Sequence, residues 1–357
     1  MTEPEADTQK AEVFAEKLIG VLNNAALAMM TSVGHRTGLF DRMAELPAST
    51  SQEIASAAGL NERYVREWLG AMVTGGFVHY DANAGTYRLP PEHAVALVRS
   101  SGPDNLAAQM QWVACLGGVE TGIVESFEKG GGVPYSEFER FHEIMLGESG
   151  PVVEATLIQN TLPLVPGLVQ RLEEGIDVVD VGCGSGHAVN VMARAFPKSR
   201  FTGYEISEKG IATGRAEAAD WGLPNARFEL QDGAAMTADE AFDLITTFDA
   251  VHDQVDPAAV LSGIHRALRS DGIYLMVDIK ASSHLHENLE HPLGPFLYTV
   301  SAMHCMTVSL AGGGAGLGTC WGEQTARRML KEAGFSGVEM YEIDGDVINS
   351  YFVSRKR

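Results

Sequence analysis

The residues with the clearest chemical pattern are Val178, Val179, Asp180, Val181, Gly182, Cys183, Gly184, Ser185 and Gly186. They read as a buried strand running into a glycine-rich turn that opens a helix. Glycines let the chain turn sharply and let a ligand touch bare backbone. The triplet alone is weak, because a plain tight turn has the same form, but its surroundings strengthen it. Glu205 stands 19 positions after Gly186, at the end of the next expected strand, where a carboxylate accepts from both hydroxyls of a ribose. The bland alternative is a solvated glutamate capping the following helix; the register of strand, loop, helix, strand and acid favours the ribose. Gln231, Asp232 and Gly233 follow a third strand. Asp232 can accept there from an adenine amino group or simply form a turn.

Phe248, Asp249, Ala250, Val251, His252 and Asp253 follow a fourth strand, at the carboxyl edge where open α/β sheets bind ligands. His304 lies in an apolar, helical stretch over residues 296–310, inserted after the fifth strand. A histidine there can serve as a general base or pack as a core residue; both readings stay open. His252 and His142 are weaker candidates for the same role. Residues 312–318 are rich in glycine but follow no strand, so they do not form a second phosphate loop. A mobile cover is favoured over a plain connector, since ordering so many glycines is costly.

These groups need elements to hold them. Strand and helix alternate from residue 175 onward, which implies a parallel sheet with helices on both faces. Two final strands joined through Asp344, Gly345 and Asp346 add an antiparallel hairpin. Upstream, residues 91–172 read as broken helices. Residues 39–89 read as helix, turn, helix and hairpin, the order of a winged helix. Within it Thr50 to Glu53 form a capping box and Asn61 caps the next helix. Residues 11–32 carry a wide apolar stripe, expected to be buried on more than one side, against the same domain or a partner subunit.

From Gly175 to its end the chain resembles class I S-adenosylmethionine-dependent methyltransferases. Their nucleotide loop is similar to Asp180 through Gly186, their ribose acid to Glu205, their adenine-side acid to Asp232, and their reversed last strand to the closing hairpin. The whole chain is similar to an actinobacterial group of small-molecule methyltransferases with an N-terminal winged-helix domain. The resemblance implies a Rossmann-like, seven-stranded α/β sheet. It implies that S-adenosylmethionine is the cofactor, bound by Asp180, Gly182, Cys183, Gly184, Gly186, Glu205, Ile206, Asp232, Gly233, Phe248 and Asp249. It also gives His252 a structural or cofactor-side role, and leaves His304 as the candidate catalytic base. Expected domains are a winged-helix dimerisation domain (1–95), a helical linker over the active site (96–172) and a catalytic domain (173–357). The aromatic and methionine content of the linker and the insert suggests a small apolar or aromatic acceptor.

Bulk properties narrow the alternatives. The chain has 357 residues, with 26 basic against 47 acidic side chains and a net charge of −21. Such a surface repels phosphate backbones and anionic lipid. In the presumed reading helix Arg63 and Arg66 are offset by Glu62 and Glu67, where a DNA reader shows a basic face. A winged-helix regulator that binds S-adenosylmethionine as a ligand is therefore the second reading. Cys115, Cys183, Cys305 and Cys320 form no metal-type pair, so reduced thiols and no metal site are expected. The first ten residues are polar, without a signal-peptide core. No uninterrupted apolar run approaches the ~20 residues of a membrane helix, so a cytoplasmic homodimer without nucleic-acid or membrane partners is expected.

Overall fold

The computed structural model describes residues 7–356; residues 1–6, part of the polar N-terminal stretch, and residue 357 lie outside the described residues. The chain divides into two compact units, Met1–Gly117 and Gly118–Arg357.

In the first unit, Asp7 caps a long helix, Thr8–Thr37, which Gly38 ends in a left-handed conformation. Helices Leu39–Glu45, Ser51–Ala58 and Glu62–Thr74 follow, then β1 (His79–Asp81) and β2 (Thr86–Arg88), paired antiparallel. The capping box on Thr50 and Glu53 and the Asn61 cap are both formed. Phe40, Trp68, Leu69 and Met72 fill the core. The Trp68 Nε1–H donates to the Met30 carbonyl at 2.8 Å, tying the end of the long helix to the bundle. At Gly34 an added Cβ would stand 2.6 Å from both the Phe40 and Trp68 rings, so only glycine permits this approach.

Two expectations change here. The apolar stripe of the long helix is not buried within the chain: Val13, Phe14, Leu18, Ile19, Val21 and Leu22 are more than half exposed. Only Thr31, Ser32 and Gly34 in that helix are buried, because the bundle reaches no further than its last turns. The helix is also long and apolar enough to cross a membrane by composition, with an 18-residue window of mean hydropathy 1.3. Asn23 and Asn24 interrupt the apolar stretch, so no unbroken run marks this helix in the sequence.

In the second unit β3 (Asp177–Val181), β4 (Arg200–Glu205), β5 (Ala226–Leu230), β6 (Phe242–Phe248), β7 (Leu268–Ile279), β8 (Ser336–Tyr341) and β9 (Asn349–Arg355) form one sheet. Its order is β5-β4-β3-β6-β7-β9-β8. The first five strands are parallel; β9 runs antiparallel to β7 and β8. Near-continuous apolar strands such as β3, with Val178, Val179 and Val181 buried, are what a sheet covered on both faces requires. The strand order reverses between β3 and β6, which opens a crevice at their carboxyl ends. The insert after β7 contains helix Gly294–Val300, a wide π-type turn at Ser301–Cys305 and helix Met306–Ala311. Helix Phe141–Thr156 belongs to the same unit, and Gly132 fits so closely against the Thr307 carbonyl that a Cβ would stand 1.9 Å from its oxygen.

Candidate active site

The loop after β3 is shaped by glycine. Gly182, Gly184 and Gly186 have φ of 76°, 54° and 73°, left-handed values that other residues adopt at a cost. A Cβ at Gly182 would stand 2.6 Å from that of Ala250, and one at Gly186 would stand 2.3 Å from the Phe228 ring. The Gly182 and Cys183 N–H groups donate to the Tyr204 carbonyl, Gly186 donates to Cys183, and Gly184 donates to Glu205. With these donors used within the fold, the loop offers a ligand bare backbone more than a phosphate cradle.

Glu205 ends β4 and is 9% exposed. Its Oε1 accepts from the Ile206 and Ser207 N–H groups and its Oε2 from Gly184, all at 2.9 Å. An ionised carboxylate has about four acceptor sites, so Oε2 can still take a hydroxyl, with its direction fixed by three backbone donors. Beside it Ile206 is 62% exposed, an apolar surface open to a flat ring. Asp232 is exposed, and its Oδ1 caps the short turn Gly233–Ala235 at Ala234 N. Its other oxygen remains open, so the turn role and an adenine-side role are compatible. Gly233 is buried against Val181 and Val260.

Asp180 sits inside the sheet rather than on the loop surface. It pairs in register with Thr246, whose Oγ1 donates to it at 2.7 Å. Burial, together with the Glu205 charge and against that hydrogen bond, raises its carboxyl to about 7. Burial also raises the Cys183 thiol well above its usual range, so it is neutral. Cys183, Cys305 and Cys320 form no disulfide. Among the described residues no group of three or more His, Cys, Asp or Glu is arranged for a metal.

The second half of the site stands on β6, β7 and the insert. Phe248 ends β6, half-buried, and Asp249 follows with φ 51°. Burial and the Asp278 charge push the Asp249 carboxyl up to about 7. His252 is buried, and its Nδ1 lies 2.7 Å from Oδ1 of Asp278, itself fully buried at the end of β7. Burial alone would disfavour a charged His252, but the Asp278 charge, with Cys305 adding to it, holds its pKa well above the usual value. Asp253, pushed up to about 6 by burial, faces the Tyr135 hydroxyl at 3.5 Å.

His304 is 1% exposed. Its ring stacks on Phe141 and meets Tyr135 and Phe138 edge-on. Burial, helped by the charges of His252 and His142, lowers its pKa to about 3. His142 stacks on Tyr135 and is lowered by burial. The Glu205 charge acts on Tyr135, His142 and Asp253. Phe127, one of the aromatic residues counted towards an acceptor pocket, is 80% exposed and does not join them. Asp278 and Tyr135 are not among the sequence-derived site candidates. Only an acid closing the fifth strand and a tyrosine beside Pro134 could have pointed to them.

Residues 172–334 match the family model described as a methyltransferase domain, and residues 25–99 match that of the Rv2258c-like winged HTH domain. The chain couples a winged helix-turn-helix domain to a methyltransferase domain. Trans-aconitate 2-methyltransferase of Variovorax paradoxus is 31% identical over 132 residues, 37% of this chain and 46% of that protein. Nocamycin O-methyltransferase of Saccharothrix syringae is 32% identical over 126 residues, 34% and 45% of the two chains. The matched part thus spans about half the length of these curated relatives. Likeness in fold extends over nearly the whole chain. Mitomycin 7-O-methyltransferase MmcR superposes with a TM-score of 0.72 at 17% identity, over 98% of this chain and 100% of that one. Human N-acetylserotonin methyltransferase in complex with SAM gives 0.68 at 15% identity, over 100% and 99%. The fold is that of the class I methyltransferases, with its seven strands and reversed hairpin.

Proposed function

We propose that the protein transfers a methyl group from S-adenosylmethionine to a small apolar or aromatic acceptor, and that His252 takes the acceptor's proton. One observation carries this reading: the His252–Asp278 pair stands at the carboxyl ends of β6 and β7, and Gly182 of the β3 loop packs on Ala250, two residues before His252. When bound, S-adenosylmethionine supplies a methyl group already activated by a positive sulfur. The backbone of Gly182, Cys183, Gly184 and Gly186 is suited to the methionine part. Glu205 is suited to the ribose, and Ile206, Asp232 and Gly233 to the adenine. Phe248 and Asp249 border the reacting end, with Asp180 bracing the loop from within the sheet. Orientation of donor and acceptor then supplies much of the rate.

Asp278 accepts from His252 Nδ1–H and orients the ring, which also meets Cys305, so that Nε2 is the nitrogen that accepts once the imidazolium has lost its second proton. The surroundings of His304 favour an aromatic wall over the base role. Tyr135, Phe138 and Phe141 around it suit a flat acceptor. The test is incubation of the full chain with methyl-labelled S-adenosylmethionine and a panel of phenols, catechols and carboxylic acids. Label transferred to a phenol, and lost with His252→Gln, supports the reading; transfer untouched by that change removes His252 as the base.

The regulator reading is less well supported. Arg63 is paired with Glu67 and Arg66 with Glu62, within the presumed reading helix, which leaves little positive charge for phosphates. We infer that the exposed stripe of Thr8–Thr37 packs against a second copy. A membrane span is disfavoured because the same helix continues past its exposed apolar part into the winged-helix core, where Thr31, Ser32 and Gly34 are buried and Gly34 lies against Phe40 and Trp68. The proposed assembly is a cytoplasmic homodimer, with 1–95 as the dimerising domain and 173–357 as the catalytic domain; of the linker expected over 96–172, the part up to Gly117 belongs to the first unit and only the remainder shares a unit with the site.

A further inference from the structure

The glycine-rich segment that reads as a mobile cover in the sequence is fastened along its length. Gly314 N–H donates to the Ser309 carbonyl at 2.9 Å, Ala315 to Val255 at 3.0 Å and Gly318 to His252 at 3.1 Å. The Gly316 N–H donates to Ser309 Oγ at 3.0 Å. Glycine is what lets it lie so close. A Cβ at Gly314 would stand 2.5 Å from the Val255 carbonyl oxygen. Gly318 and Gly322 have φ of 72° and 77°, and Cβ atoms there would stand 2.2 Å from Ser301 Oγ and 2.0 Å from Ser283 N.

What this segment delivers is Trp321, buried, with its Nε1–H donating to Asp278 Oδ1 at 3.0 Å. The same oxygen accepts from His252 Nδ1 at 2.7 Å and from Ile279 N at 2.8 Å. Oδ2 of Asp278 is buried with no hydrogen-bond partner among the described residues. We propose that Trp321 is a positioning residue for the His252–Asp278 pair: its indole N–H fixes the Asp278 carboxylate and tempers its hold on the His252 ring. The proposal rests on the reading of His252 as the base. One segment thereby holds both partners, His252 through its carbonyl and Asp278 through its carboxylate.

The electrostatic consequence has a definite sign. A donor on Oδ1 spreads part of the Asp278 charge, so removing it leaves more negative charge facing the imidazolium and raises its pKa further. Other groups facing His252 are Asp249 and Asp253 from its own loop, His304 and Cys305 from the insert, and Cys320 from the glycine-rich segment. None of these is altered by the change Trp321→Phe, which keeps an aromatic ring and deletes the donor.

The test is a nuclear magnetic resonance titration of the full chain labelled with nitrogen-15 histidine and tryptophan. The His252 ring signals are identified by their loss in His252→Gln. In Trp321→Phe the His252 midpoint should rise by about half a pH unit or more. An unchanged or lower midpoint in the folded variant overturns the proposal. Should that variant fail to fold, the unaltered protein decides: the Trp321 indole N–H signal must move with the His252 midpoint, and an indifferent signal overturns the proposal. If His252 is not the base, these shifts persist while His252→Gln leaves methyl transfer intact, so the two failures are distinguishable.

Discussion

The rings of Phe141 and His304 lie 4.2 Å apart and 7° from parallel, which makes the histidine part of an aromatic wall. A buried imidazole with a pKa near 3 is neutral in the folded chain, whereas the unfolded chain gains a proton near 6.5. Folding stability from this group is therefore full above about pH 6.5 and is lost as pH falls towards 3. The depressed pKa of a base reverses the usual sense for histidine. Replacing His304 with Phe, which preserves the stack, should remove this loss. Between pH 7 and pH 5 the variant should lose about 2 kcal/mol less stability than the parent in urea unfolding. Equal losses would show that His304 is not held neutral.

A second prediction separates the two histidines by activity. His252→Gln should keep affinity for S-adenosylhomocysteine and cut turnover by roughly 10²–10⁴-fold, the usual range for a general base. His304→Ala should lower the melting temperature by emptying the aromatic wall and leave a larger share of turnover per folded molecule. The opposite ranking in turnover would return the base role to His304. Since Asp278 holds the His252 pKa high, the parent rate should rise with pH as the imidazolium loses its proton. A rate that falls over pH 7 to 9 would contradict that assignment.

Local patterns make the proposed cofactor half of this site legible in the sequence. The glycines after β3 and the acid after β4 are linked by short, regular elements, and the Thr50 and Asn61 caps depend on neighbours within three residues. The proposed acceptor half depends on long-range contacts. His252, in the loop after β6, and Asp278, near the end of β7, are 26 positions apart, and Trp321 reaches Asp278 across 43. Their residue types gave no periodic signal, so His304, set among visible apolar residues, drew the base role instead. The glycine-rich segment misled for a related reason. Its glycines serve close approach to Val255, Ser301 and Ser283, which cannot be distinguished from flexibility without the partners. The exposed stripe of Thr8–Thr37 shows that periodicity identifies a helix without identifying what covers it.

The covering of that stripe is the third prediction. Leu18 and Leu22 are 53% and 69% exposed. Sedimentation of the full chain at micromolar concentration should show a dimer, with Leu18→Glu and Leu22→Glu together shifting it to monomer. Burying two carboxylates without partners is costly enough to disrupt such an interface. A monomeric parent chain would rule out this interface, and partition of the parent into vesicles would favour a lipid surface.

The central claim is that the β3 loop and Glu205 bind S-adenosylmethionine, and calorimetry with S-adenosylhomocysteine tests it most directly. The full chain should bind this ligand with one site per protomer and show no comparable affinity for NAD. Glu205→Ala should weaken binding by about 1.5–3 kcal/mol, the scale of hydrogen bonds to a charged group. Unchanged affinity in Glu205→Ala, or tighter binding of NAD by the parent chain, would contradict the account.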